Sequence, residues 1–188
     1  MMRFYDGQHG FYAGIDLHAR RLHLCVLDAG EILYIDKMEP VRSVRMASYI
    51  GRRNPAHCTS VGKAMMAFLP EEETDNILRQ HGMKRLTPMT ITSPAELKAD
   101  LKQTRDRGYA IDNEETLEGV RCVGAPVLDH SGRPIAAISI SAPSFRLPVD
   151  KVSVAAAAVC RVAAALSRES GYQPPAKRSN RSLAKMGT

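Results

Sequence analysis

Ser139 and Ser141 stand two residues apart in a stretch otherwise built of isoleucine and alanine. On a β-strand, residues i and i+2 share a face, so both hydroxyls point the same way. A buried hydroxyl left without a partner costs about 1–3 kcal/mol, so these two need either backbone neighbours or a bound molecule. Val120 and Cys122 repeat the spacing on a second candidate strand. Cys122 suits a small buried hydrophobe as well as a pocket wall. Asp112 opens the acidic run Asp112-Asn113-Glu114-Glu115, either as the cap of that turn or as a polar contact. Ser60 precedes a helical pattern and is placed to cap it. The unpaired N–H groups of such a first turn, with the positive end of the helix dipole, suit an anion. A few convergent polar groups among apolar ones is the usual form of a small-molecule site.

Catalysis and metal binding find less support. A nucleophilic cysteine needs a base or a lowered pKa, and Cys122 has no histidine partner in view. Cys25, Cys58, Cys122 and Cys160 are widely spaced and form no Cys-x-x-Cys pair, which argues against a zinc site. His23 and His57 are lone histidines with no partner at metal spacing. Gly62-Lys63 resembles the end of a phosphate loop, but His57 occupies the position that needs glycine. No metal and no cofactor is expected. Arg121 and Arg146 add charge near the acidic run. Arg146 either orients a loop or meets a ligand carboxylate bidentately, and the structural role is preferred.

The elements that must position these groups follow from pattern and punctuation. Residues 22–27 and 31–37 are two β-rich runs across Asp28-Ala29-Gly30, a hairpin signal, and residues 44–50 are a third strand candidate. Residues 60–69 read as a short helix with Ala64, Met65 and Phe68 on one face. Pro70 opens a second helix with Glu71, Glu72 and Glu73 in its first turn and Gly82 as its stop. Ser93-Pro94-Ala95-Glu96 is a capping box that starts a third helix, which ends at Gly108. Strands are expected at 109–113, 120–128 and 134–141, the last two joined by His130-Ser131-Gly132. A closing helix from Val149 to about Arg168 carries Val152, Ala155, Val159, Val162 and Leu166 at helical spacing. Hairpin strands with intervening helices make an α+β domain on an antiparallel sheet.

Composition agrees. A chain of 188 residues, 44% hydrophobic and 24% charged, buries one sizeable core. The net charge of +6 is concentrated in a tail holding Lys177, Arg178, Arg181 and Lys185 and no acid, which leaves +2 for the body through Tyr172. That tail reads as solvated and disordered rather than as a nucleic-acid arm. The absence of Trp argues against a base-stacking surface. No secretory or membrane-length apolar run is present, and the protein reads as cytoplasmic with reduced thiols.

Residues 33–37, 57–64, 86–92, 107–115, 119–127 and 139–146 carry, in this order, motifs that resemble the effector-binding domain of IclR-type bacterial transcriptional regulators. The resemblance covers residues 22–171, about four-fifths of the chain. It implies a GAF- or profilin-like α+β fold with a central antiparallel sheet flanked by helices. It also implies a pocket for a small organic acid effector, a carboxylate or keto acid, lined by Ser60, Val61, Asp112, Val120, Cys122, Ser139 and Ser141. Many relatives carry Gly or Ala where this chain has Ser60 and Val61, which implies a narrow pocket and a small ligand. As a family member the chain is expected to be a homodimer or homotetramer, to touch no membrane, and to meet DNA only through a helix-turn-helix domain missing from this chain. The competing readings are a non-sensing fragment that co-assembles with a full-length regulator, and an enzyme; the enzyme reading is rejected.

Residues 1–21 do not fit that family. Gly14-Ile15-Asp16-Leu17-His18 resembles the start of an insertion-sequence transposase with a RuvC-like core, in which Asp16 would be the first metal-binding acid. The converging carboxylates of a two-metal nuclease do not follow, so a fused remnant, the preferred reading, or a diverged linker is expected rather than an active nuclease. Three segments result: 1–21, the domain 22–171 and the tail 172–188.

Overall fold

Gly30, at φ +80°, turns the chain between the first two β-rich runs and closes a hairpin of strands β1 (Arg21–Asp28) and β2 (Glu31–Met38). A left-handed residue costs glycine nothing, which is why it sits at such turns. The structure, a computed structural model, describes residues 21–28, 30–38 and 50–174. The readings placed on Asp16 and the rest of 1–20, and on the basic tail beyond residue 174, lie outside the described residues. So does most of the strand expected over 44–50. Ile50 lies in a turn, and the third described strand is instead β3 (Arg53–Pro55), which pairs with β2.

Helix α1 (Ser60–Met66) is shorter than the pattern suggests, because residues 67–69 continue it only as turns. Its cap also differs: Thr59, not Ser60, is the N-cap, and its hydroxyl accepts from the Gly62 N–H at 3.1 Å. Thr59 has the extended backbone a cap requires, whereas Ser60 is already inside the first turn. Helix α2 (Glu71–His81) and helix α3 (Pro94–Arg107) begin and end where their signals predict. Ser93 caps α3, Pro94 opens it, and Gly108 at φ +81° stops it. Strands β4 (Ala110–Asn113), β5 (Val120–Leu128) and β6 (Pro134–Pro143) follow. A 3-10 turn over Val149–Lys151 then leads into α4 (Val152–Glu169).

The six strands form one antiparallel sheet in the order β3-β2-β1-β6-β5-β4, and the expected α+β class is met. Its two faces bury different helices. On one, Val61, Met65 and Met66 of α1 and Leu97 and Leu101 of α3 pack with Cys25, Ile32 and Ala137. On the other, Val159, Ala163 and Leu166 of α4 cover Ala125, Val127, Ile138 and Ile140, while Val152 and Ala155 cover Val123. Side chains alternate along a strand. Thus Ile138 and Ile140 serve α4, and Ser139 and Ser141 between them look toward α1.

Candidate functional site

The register of the sheet decides which polar groups meet. Asp112 on β4 pairs with Cys122 on β5, and Cys122 pairs in turn with Ser141 on β6. Paired residues project to the same face, so these three form one row across three strands. The next row holds Ala110, Gly124, Ser139 and, on β1, His23. Gly124 is where the start of α1 presses on the sheet. A β-carbon at this position would stand 2.9 Å from the carbonyl carbon and oxygen of Ser60 and 3.0 Å from the Val61 nitrogen. Only glycine admits so close an approach to another backbone. Ser60 and Val61 are therefore held beside the two rows.

Five of the seven residues singled out in the sequence, Asp112, Cys122, Ser139, Ser141 and Ser60, thus come together, and all but the partly buried Cys122 are buried. Val61 supplies its backbone here, while its side chain belongs to the core beside Cys25 and Met65. Val120 shares the face of Cys122 but lies at the strand's beginning, opposite Pro143, at the edge of the group. The Ser141 hydroxyl donates to the Cys122 sulfur at 3.1 Å. Burial, and then the nearby Asp112 carboxylate, push the Cys122 thiol well above its ordinary pKa. A thiol held protonated is a poor nucleophile.

Asp112 has a structural duty as well. Its Oδ1 accepts from the Glu115 N–H at 2.8 Å and from the Thr116 N–H at 3.2 Å, capping the acidic turn. Burial raises its pKa, although those hydrogen bonds work in the opposite direction. The turn itself is strained at Glu114, which sits at φ +63°. It is tied down from several sides. The Thr87 hydroxyl donates to the Glu114 carbonyl at 2.8 Å, the Thr90 hydroxyl to the Glu115 carbonyl at 2.7 Å, and the Thr116 hydroxyl to the Cys58 carbonyl at 3.0 Å.

Beneath that turn lies a feature the sequence did not disclose. The Lys63 ammonium, on a side chain only 1% exposed, reaches the Glu115 Oε1 at 2.5 Å and the Asp100 Oδ2 at 3.0 Å. Burial alone would lower the lysine's pKa, but the two carboxylates outweigh it and raise it. Glu115 is pushed up to about 7, because burial exceeds the help it receives from Lys63. Lys63 had drawn notice only for following Gly62; its partners are 37 and 52 residues onward, on α3 and in the acidic turn, beyond any local pattern.

Other candidates settle into structural places. The His57 Nε2 meets the Lys84 carbonyl at 3.1 Å, and burial lowers its pKa. Arg146 is exposed and lies over the ring of its neighbour Phe145, away from the rows. Arg121 is the structural arginine: it donates to Asn113 at 2.8 Å and to the Leu147 carbonyl at 2.5 Å, pinning the segment that follows β6 to β4. Among the described residues, no three His, Cys, Asp or Glu side chains gather as a metal site. No described helix is long and apolar enough to cross a membrane.

Comparison with known proteins points the same way. The model of the family described as "Bacterial transcriptional regulator IclR C-terminal" matches residues 16–168. The HTH-type transcriptional regulator KdgR of Dickeya chrysanthemi is 42% identical over 151 residues, which are 80% of this chain and 50% of that protein. The chain spans about half the length of the curated relatives it matches, which are by name transcriptional regulators and repressors and not enzymes. Among solved structures, Thermotoga maritima IclR superposes with a TM-score of 0.78 at 39% identity, over 82% of this chain and 62% of that one. The inducer-binding domain of the Acinetobacter PobR transcription factor, solved as a double mutant with 3-hydroxybenzoic acid, gives 0.71 at 29% identity. That match covers 79% of this chain and 87% of the other.

Proposed function

Since this chain belongs to the IclR C-terminal family of bacterial transcriptional regulators, we propose that residues 22–171 are its effector-sensing domain and bind a small carboxylate or keto acid. The observation that carries this reading is the row Asp112–Cys122–Ser141, with Ser139 in the next row and the start of α1 pressed beside both. Hydroxyl and thiol donors on an apolar sheet face suit an oxygen-rich ligand whose remaining surface is apolar. Asp112 fits an acidic ligand for a specific reason. A carboxyl whose pKa is raised by burial repels an approaching carboxylate less than an ordinary one. That PobR's inducer-binding domain was solved with an aromatic acid supports a carboxylate in this family. The side chain of Ser60, where many relatives carry a smaller residue, favours a smaller one here.

In this reading the bound acid shifts the balance between oligomeric states of the regulator, a homodimer or homotetramer, and thereby its operator affinity. DNA is met through a helix-turn-helix domain, which the described residues do not include. The basic tail 172–188 lies outside the sensing domain, and the protein works in the cytoplasm.

A thermal-shift screen of the purified chain tests the proposal, using pyruvate, lactate, gluconate and benzoate with a Ser139→Ala/Ser141→Ala variant alongside. At 100 times Kd a ligand stabilises by about 2.7 kcal/mol, enough for a clear shift. A shift in the wild type that is lost in the folded double variant is the expected result. Equal shifts in both proteins, or a response to benzoate alone, would refute the site or the size assigned to its ligand.

A further inference from the structure

Pairing of β1 with β2 is regular from Asp28 opposite Glu31 to Cys25 opposite Tyr34, and then slips so that Leu24 faces Asp36. Ile35 is the extra residue, a β-bulge, and it is turned out to solvent. The slip has a directional effect. Tyr34 lies two residues from Ile32 and opposite Cys25, so it shares their face, the face on which Ser139, Ser141 and Cys122 lie. The slip beyond it turns Asp36 to the opposite face, with Leu24. There the Tyr34 ring meets His23 edge-on, with centroids 5.4 Å apart, and His23 is the strand partner of Ser139. Burial, then Cys25, and more weakly Cys122 and Asp112, push the phenol's pKa upward. The phenol therefore stays protonated at neutral pH and keeps a hydrogen to donate.

Its hydrogen bonding has a fixed sense. The guanidinium of Arg52 can only donate, and its Nε reaches the Asn54 Oδ1 at 3.2 Å. That sets the amide so that the Asn54 Nδ2 donates to the Tyr34 hydroxyl at 3.3 Å. A phenol has one hydrogen. With its oxygen accepting from Asn54, that hydrogen is directed to another acceptor, and a donor chain starting at a cation makes it a stronger donor.

We propose that Tyr34 is a further ligand-binding, specificity-determining residue of the candidate site, donating its phenolic hydrogen to the carboxylate of the bound acid, with Asn54 and Arg52 as positioning residues. This rests on the sensing function proposed above and names the group that recognises the ligand's charged end. Selectivity follows, because a neutral amide in place of the carboxylate gives Tyr34 a weaker acceptor.

The test is calorimetric titration of the full chain with pyruvate, lactate, gluconate and benzoate, each beside its neutral amide. The proteins compared are wild type, Tyr34→Phe, Asn54→Ala and Ser139→Ala/Ser141→Ala, each checked for a native melt. Tyr34→Phe is expected to weaken binding of the preferred acid about 10-fold or more while changing its amide by less than about two-fold. Asn54→Ala should give a smaller loss with the same preference, because it removes only the alignment. Equal affinity of wild type and Tyr34→Phe for the acid, with binding lost in the double serine variant, would overturn the role of Tyr34 and leave the sensing function standing. Equal losses for acid and amide would overturn it as well, since they report a generally disturbed pocket. If none of the four acids binds the wild type, both this assignment and the small-acid function fall together.

Discussion

Replacing Lys63 by Met keeps the long apolar stem and removes only the ammonium, 2.5 Å from Glu115 and 3.0 Å from Asp100. Breaking a buried ion pair by deleting one partner costs roughly 3–5 kcal/mol, because the charge left behind has no water to turn to. Glu115 has an escape, since it can take up a proton. Burial has already pushed its pKa up to about 7 with Lys63 present, and without Lys63 it rises further. The cost must therefore depend on pH. A carboxyl raised above its ordinary 4.5 contributes stability that is fully present below 4.5 and is lost as pH rises through about 7. At pH 8.5 the wild-type Glu115 is ionised and paired with Lys63, so the variant bears the full penalty. At pH 5 Glu115 is neutral in both proteins, and only Asp100 loses its partner. With about 2–4 °C of Tm per kcal/mol in a domain of this size, the variant should melt roughly 6–20 °C lower at pH 8.5. At pH 5 the deficit should be about half that or less. Scanning calorimetry of the two proteins across this range measures it, and adding Glu115→Gln to the variant should flatten the dependence. A deficit below about 1 kcal/mol, or one equal at both pH values, would refute the account of Lys63 as the charge that holds the acidic turn.

Four further substitutions probe the parts that place the site. Gly124→Ala puts a β-carbon against the Ser60 and Val61 backbone, so it should destabilise by about 1–3 kcal/mol in urea melts and also weaken ligand binding; a neutral result on both counts would show that α1 is free to shift. Thr59→Ala removes the hydroxyl that caps α1 and should cost about 1 kcal/mol, whereas Ser60→Ala should cost none of that capping energy. Arg121→Lys cannot reproduce the fork that reaches Asn113 and the Leu147 carbonyl together, so a loss of about 1–3 kcal/mol is expected in the same melts.

Local signals in this chain are reliable where one residue does the work. Ser93, Pro94 and Gly108 bound α3 as their chemistry predicts, and β5 occupies residues 120–128 as read from its apolar run. The cap of α1 went to Thr59 because adjacent Thr and Ser can both cap a helix, serine being if anything preferred, and the backbone angle chooses between them. The serine pair was legible from spacing alone. Its meeting with Asp112 and Cys122 was implied by family resemblance, since cross-strand register has no local signature. Lys63 and Tyr34 escaped for related reasons. The lysine's partners come from distant elements, and the tyrosine's neighbours His23 and Asn54 stand on other strands, whose pairing has no local signature.

Strand β1 lies in the middle of the sheet, hydrogen-bonded to β6, so Cys25 must find Ala137 across roughly a hundred residues of chain. On the ribosome, the first strands therefore emerge long before the one that will hold them, and the hairpin they make has no neighbour on its inner edge until residue 137 or so is released. The rows of the candidate site join β4, β5, β6 and β1, and so they come into being only when that last pairing closes. A molecule recognised by them can wait only for the finished domain, which makes its presence during synthesis a brake on complete unfolding rather than a guide to early folding.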